Sequence, residues 1–294
     1  MQKVNDNIID TRSAGGAFGA NIWRLTKKIF NKSVPSCCTV LLRNLKYKNT
    51  QIQQLICIHA ASVGHLKCLE QLYLLKYDLT ERACIKSVQQ NNFNCFKFLI
   101  DNNCPITNTI AKEAAKYGRL NFLIYLHNRD KNVIDADACA YAALNGHLGC
   151  LIFLREKLYP WNEKTCEYAT IGKHIDCLTY AYTQGCPMTS KVCDLAAMTG
   201  NIYALIYAYE NGCIMSPKTC DYAAKNGHFD CLMFAFEKGG QVTPKTCLKA
   251  IKSKNLKCVD YAKTHCKIYY RYDVVKLQRF VLTFKLIVHK MLHK

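Results

Sequence analysis

The chain lacks any run approaching the ~20 uncharged apolar residues that a membrane-spanning helix needs. Its nearest candidate, residues 280–288, is short and carries Lys285. No hydrophobic stretch follows Met1, so no secretory leader is expected. Cys-x-x-Cys is also missing, although the 294 residues include nineteen cysteines. An odd count without a leader argues against a secreted disulfide framework and for a reducing, intracellular compartment. Acidic residues are scarce, 21 against 40 lysines and arginines, for a formal net charge of +19. The segment GGAFGA at residues 15–20 has the wrong spacing for a phosphate loop and follows no apolar strand, so it reads as linker.

What the chain does have is a period. Residues 220–239 read CDYAAKNGHFDCLMFAFEKG after the lead-in SPKT at 216–219. Ser216 followed by Pro217 is a helix start: a serine oxygen can accept from an orphan backbone N–H, and proline loses nothing in the first turn. Cys220, Ala223 and Ala224 share one stripe of a helix that Gly227 closes. Cys231, Leu232, Phe234, Ala235 and Phe236 mark a second helix, ended by Gly239. Two helices this short cannot offset the entropy of ordering them, so the hairpin must stack on neighbours.

Seven further versions run in phase. With Cys220, the zero positions are Cys57, Cys84, Ala111, Cys139, Cys166, Cys193 and Cys247, 27 residues apart except for 28 between Ala111 and Cys139. Small residues recur three and four places on, as in Ala60 with Ala61 and Ala196 with Ala197. Glycine stands seven on at Gly64, Gly118, Gly146, Gly200 and Gly227, with Gly172 one place early. The expected fold is all-α, a solenoid of about eight stacked helix-turn-helix repeats over residues 57–266.

Cysteines fall at zero, at eleven on (Cys68, Cys95, Cys150, Cys177, Cys231, Cys258) and at twenty on (Cys104, Cys186, Cys213). Where the pattern breaks, Ala111, Phe122 or Ala204 fills the place, which keeps a core packed but holds no metal. Buried structural thiols are therefore expected, with no metal site and no cofactor. His65, His147, His174 and His228 share a place with Asn92, Arg119, Asn201 and Asn255. Asparagine is a good N-cap and a poor transition-metal ligand, so this place is expected to cap or brace the second helix. A Cys/His nucleophile would need one distinctive site rather than a recurring one, so no enzyme and no catalytic residue is expected.

The strings HAASVGHLKCL, YAALNGHLGCL and YAAKNGHFDCL resemble the AAxxGHxxxV core of ankyrin repeats. LYPWNEKTCEYA and GCPMTSKVCDLAA resemble the shortened, Cys-rich ankyrin-like repeats common in large DNA viruses of amoebae. The likeness covers about residues 57–265. The common ankyrin repeat has about 33 residues and opens TPLH, whereas this unit is shorter and reads KTCD or KVCD there. The resemblance implies helix pairs with reduced or absent β-hairpin fingers, and a partner surface built from helix faces. Some viral ankyrin proteins carry an F-box that recruits ubiquitin ligases; residues 1–56 show no LPxE-type opening, which leaves a ligase adaptor as a minor alternative.

Positions one, two, five and six after zero should point away from the alanine stripe. Tyr141, Glu167, Tyr168, Asp194, Asp221, Tyr222 and Lys225 are the candidate partner-binding residues, because they vary while the packing positions repeat. The tyrosines either meet a partner or pack between adjacent first helices. Residues 1–56 hold nine Lys/Arg and two Asp, and residues 263–294 hold eight and one, so the basic excess sits at the ends. Residues 1–56 read as an extension and cap, with apolar places at Ile22, Trp23, Leu25, Ile29 and Phe30 and again at 40–45 and 52–56. Residues 267–294 form a basic amphipathic stretch with Lys276, Arg279, Lys290 and Lys294 off its apolar face, expected to be a C-terminal cap. The function expected is a monomeric protein-binding scaffold; the alternative is an electrostatic binder of nucleic acid or anionic membrane through the basic ends.

Overall fold

The computed structural model describes residues 50–266; the expected N-terminal helices before residue 50 and the basic stretch with Lys276, Arg279, Lys290 and Lys294 lie outside them. The described residues are all-helical, with sixteen α-helices, one 3₁₀ turn and no strand. They fall in two compact units that divide between Trp161 and Asn162.

The first unit contains α1 (Thr50–Val63), α2 (Leu66–Leu74), α3 (Glu81–Gln89), α4 (Phe93–Asp101), α5 (Asn108–Lys116), α6 (Leu120–Arg129), α7 (Ala136–Leu144) and α8 (Leu148–Glu156). Odd-numbered helices lie side by side in sequence order, and each also packs on the even-numbered helix that follows it. The apolar places at 52–56 do not make a separate cap helix. They are the first half of α1, a 14-residue helix that runs on through Cys57. The second unit contains α9 (Glu163–Gly172), α10 (Ile175–Thr183), α11 (Lys191–Thr199), α12 (Ile202–Glu210), α13 (Thr219–Asn226), α14 (Phe229–Glu237), α15 (Pro244–Ser253) and α16 (Leu256–His265), packed by the same rule.

Local chemistry explains the starts and stops. Thr80, Thr107, Asp135, Asn162, Thr189, Ser216 and Thr243 all stand four places before zero. Five of them stand at the N-cap, where Asp135, Asn162 and Thr243 accept from their helices, Thr243 in a capping box with Thr246, while Thr80 and Thr107 make no capping bond. Ser216 accepts from the Lys218 N–H in a single turn, so α13 starts at Thr219, two residues beyond Pro217. At the other end, the N–H eight places after zero returns to the carbonyl at three, as in His147 to Ala142 and Asn201 to Ala196. This closure needs a left-handed residue at seven. In one hairpin that residue is Lys173, with φ of 62°, and not the early Gly172, which ends α9. A second closure of the same form follows six of the even-numbered helices, at Tyr77, Cys104, Tyr159, Cys186, Cys213 and Gly240. The one-residue slip between Ala111 and Cys139 is taken up by the 3₁₀ turn Lys131–Val133, where Asp130 accepts from the Asn132 N–H.

Alanine lets the odd-numbered helices approach closely: Ala60, Ala61, Ala114, Ala115, Ala142, Ala143, Ala196, Ala197, Ala223 and Ala224 are wholly buried. The even-numbered helices carry the larger groups. Fifteen places after zero, the first unit has Leu72, Leu99, Leu126 and Leu154, and the second has Ala181, Ala208, Ala235 and Ala262. In the second unit Tyr182 meets Tyr207, Tyr209 meets Phe234 and Phe236 meets Tyr261, each edge to face at 5.9–6.0 Å. Such pairs contribute about 0.5–1.5 kcal/mol each beyond their burial.

Candidate partner surface

The place expected to cap or brace the second helix caps it at Asn201 and Asn255, but its commoner bond runs backward. His65, His147, His174 and His228 precede α2, α8, α10 and α14, but none of their side chains accepts a hydrogen bond from those helices. His147 Nε2–H instead donates to the Lys116 carbonyl at the end of α5 (3.0 Å). Asn92 Nδ2 donates back to Ala61 O and Ser62 O, Arg119 to Val88 O and Gln89 O, Asn201 to Thr170 O, and Asn255 to Gly227 O. Each donor thus satisfies carbonyls orphaned at the end of the preceding odd-numbered helix. Asn201 and Asn255 cap as well, accepting from Ala204 N–H and Cys258 N–H. A glycine makes room for the clasp: a Cβ on Gly118 would lie 2.6 Å from the His147 ring, and one on Gly200 2.6 Å from His228.

The acidic candidates also reach across to the next helix. Asp194 Oδ1 accepts from Ser216 Oγ (2.6 Å) and Thr219 Oγ1 (2.7 Å). Asp221, only 6 % exposed, accepts from Thr246 Oγ1 (2.7 Å) and from Lys249 Nζ (2.8 Å). These two carboxylates were expected to face away from the packing stripe; they join one odd-numbered helix to the next. Glu167 holds the corresponding place on α9. Lys191 Nζ lies 3.5 Å from its Oε1, yet that buried oxygen has no hydrogen-bond donor. The residue 25 places on is Val192, where Asp194 and Asp221 find Thr219 and Thr246.

The remaining candidates keep more of their surface. Tyr222 is half-buried beneath Lys249 Nζ, 5.8 Å from its ring, and Lys225 is exposed one turn further along α13. Tyr168 is half-buried on α9 and Tyr141 half-buried on α7. Tyr168 on α9 and Tyr222 with Lys225 on α13 lie in the second unit, with α11 between those helices, and Tyr141 stands in the first unit.

Burial raises the thiols: Cys57 and Cys220 are pushed up to about 12 and Cys150 to about 11. Such thiols are protonated at neutral pH and poor nucleophiles. Among the described residues, no group of three or more His, Cys, Asp or Glu could hold a metal, and no helix is long and apolar enough to cross a membrane. Neither a protein-family model nor a curated protein matches the chain.

Proposed function

We propose that the chain is a non-enzymatic, ankyrin-like repeat scaffold of about eight hairpins that binds another protein through the exposed side chains of its odd-numbered helices. The observation that carries this reading is a division of labour by position. Caps, clasps and carboxylate–threonine links recur at fixed places and hold helices together, whereas Tyr141, Tyr168, Tyr222 and Lys225 occupy accessible places that differ from hairpin to hairpin. A fixed frame with variable exposed residues suits recognition of one specific protein. The proposal includes a monomer in a reducing intracellular compartment and kinship with the shortened Cys-rich viral repeats.

The test is affinity purification from the native cell with the full chain and with a Tyr168→Ala, Tyr222→Ala, Lys225→Glu variant. Loss of a discrete copurifying protein from the variant, with its helical circular dichroism unchanged, is the expected result. Partners that persist in the variant but are lost when residues 267–294 are removed, together with salt-sensitive binding to DNA or anionic vesicles, would transfer the function to the basic ends.

A further inference from the structure

The cysteines twenty places after zero are not simply more core. Cys104, Cys186 and Cys213 occupy the closure after an even-numbered helix, where their own N–H groups bind the carbonyls of Leu99, Ala181 and Ala208 at 2.9–3.0 Å. That closure fixes the backbone and turns each thiol inward onto the zero cysteine of the same hairpin. Cys84 Sγ lies 2.9 Å from Cys104 Sγ. Cys186 and Cys213 likewise neighbour the zero thiols Cys166 and Cys193, while their own Sγ atoms reach the carbonyls of Asn162 (3.2 Å) and Thr189 (3.7 Å). All three contacts span 20 residues. Cys247 meets Cys266, nineteen places on and outside this closure, and two other zero thiols are placed differently. Cys139 Sγ donates to Pro160 O (3.6 Å), and Gly240 sits so close to Cys220 that a Cβ there would lie 2.7 Å from its sulfur.

We propose that Cys84–Cys104, Cys166–Cys186 and Cys193–Cys213 are three built-in dithiol sites that oxidise to disulfides by exchange with a small-molecule disulfide of the glutathione class, each stapling one helical hairpin. The loop thiol, as thiolate, attacks one sulfur of the oxidant, whose S–S bond breaks and whose released thiolate takes up a proton. The zero cysteine then loses its proton to solvent, attacks the loop sulfur, forms the Sγ–Sγ bond and expels the second small thiol. One small disulfide is reduced to two thiols for each protein disulfide made. A disulfide bond is about 2.05 Å long, so the Cys84 pair needs to close by less than about 1 Å. Exposure sets the order of attack: the loop thiols Cys104, Cys186 and Cys213 are 3 %, 2 % and 8 % exposed, whereas their zero partners are fully buried. Hydrogen bonding from Cys166 also holds Cys186 below the usual thiol range, and the same contact pushes Cys166 up.

The experiment refolds the full chain from urea in buffers of graded reduced and oxidised glutathione, so that access to the buried thiols is not limiting, and maps linkages by mass spectrometry without reduction. The expected result is loss of two hydrogens at each of the three pairs, with Cys57, Cys139 and Cys220 still alkylated as thiols, and a higher urea midpoint for the oxidised chain. A Cys213→Ser variant should lose the Cys193 linkage alone and retain the other two. Linkages scattered among other cysteines, glutathione left attached at Cys104, Cys186 or Cys213, or thiols that persist in the most oxidising buffer would overturn the proposal.

Discussion

Replacing Val192 by threonine should stabilise the protein, although it puts a hydroxyl into a fully buried place. Thr246 shows what that hydroxyl can do: it donates to Asp221, accepts from the Thr243 N–H and lies 3.2 Å from the Thr243 hydroxyl. Thr219 does the first two of these for Asp194 and Ser216. Val192 can do none of them, and both groups it would serve, Glu167 Oε1 and Thr189 Oγ1, are buried without a hydrogen-bond partner. Exchanging a methyl for a hydroxyl costs about 1 kcal/mol of apolar burial. A hydrogen bond to a charged group returns about 1.5–3 kcal/mol net of desolvation, and a restored cap about 1 kcal/mol. The net expectation is a gain of about 2 kcal/mol, or ~4–8 °C in Tm for a cooperative region of this size. Urea titrations followed by helical circular dichroism measure it, and a double-mutant cycle with Glu167→Ala assigns it. A loss of about 1 kcal/mol or more, or an equal gain in the Glu167→Ala background, would refute the reasoning.

Four further outcomes are expected. Gly118→Ala and Gly200→Ala should each cost about 3 kcal/mol, combining left-handed strain with a clash against His147 or His228; Gly185→Ala and Gly212→Ala, with nothing within 4 Å, should cost only about 1 kcal/mol in the same urea assay. Asn255→Ala should lose about 2 kcal/mol by removing a donor to Gly227 O and an acceptor for Cys258 N–H, and Asn255→Asp should recover only the second. Burial, helped by nearby His65, lowers the His59 pKa to about 4. The unfolded chain therefore binds a proton that the folded chain refuses between about pH 6.5 and 4, so stability falls as pH drops through that window and levels off below it. His59→Gln should remove up to about 2 kcal/mol of this acid loss, read from urea midpoints at pH 7 and pH 4.5.

The helical hairpins were legible because their signals are local and repeat: Cys57, the alanine pairs and Gly227 fix stripe and stop within a few residues. The cap row was equally available, since Thr80, Thr107, Asp135, Asn162, Thr189, Ser216 and Thr243 keep one phase, yet Ser216 alone drew notice. The links between helices were hidden because they join a side chain to another side chain 25 or 28 residues away, or to a backbone carbonyl 28 or 31 residues back. Within a single hairpin Asp221 looks like a free surface acid and His147 like a cap. Comparing positions across successive hairpins, acid with threonine and histidine with the previous closing carbonyl, was the signal that would have exposed both. The aromatic pairs were missed for the same reason, being 25 residues apart, as in Tyr209 with Phe234.

Every clasp points backward along the chain. Asn92, Arg119, His147, Asn201 and Asn255 each donate to a helix made earlier in synthesis. A nascent hairpin leaving the ribosome therefore ends its first helix in carbonyls that water must serve until the next hairpin arrives. Assembly is directional: an arriving hairpin that carries such a clasp completes its predecessor and presents an unfinished end to its successor. A truncation just after a closing glycine should fray the hairpin it leaves last, whereas one that retains the next clasp residue and its helix should not.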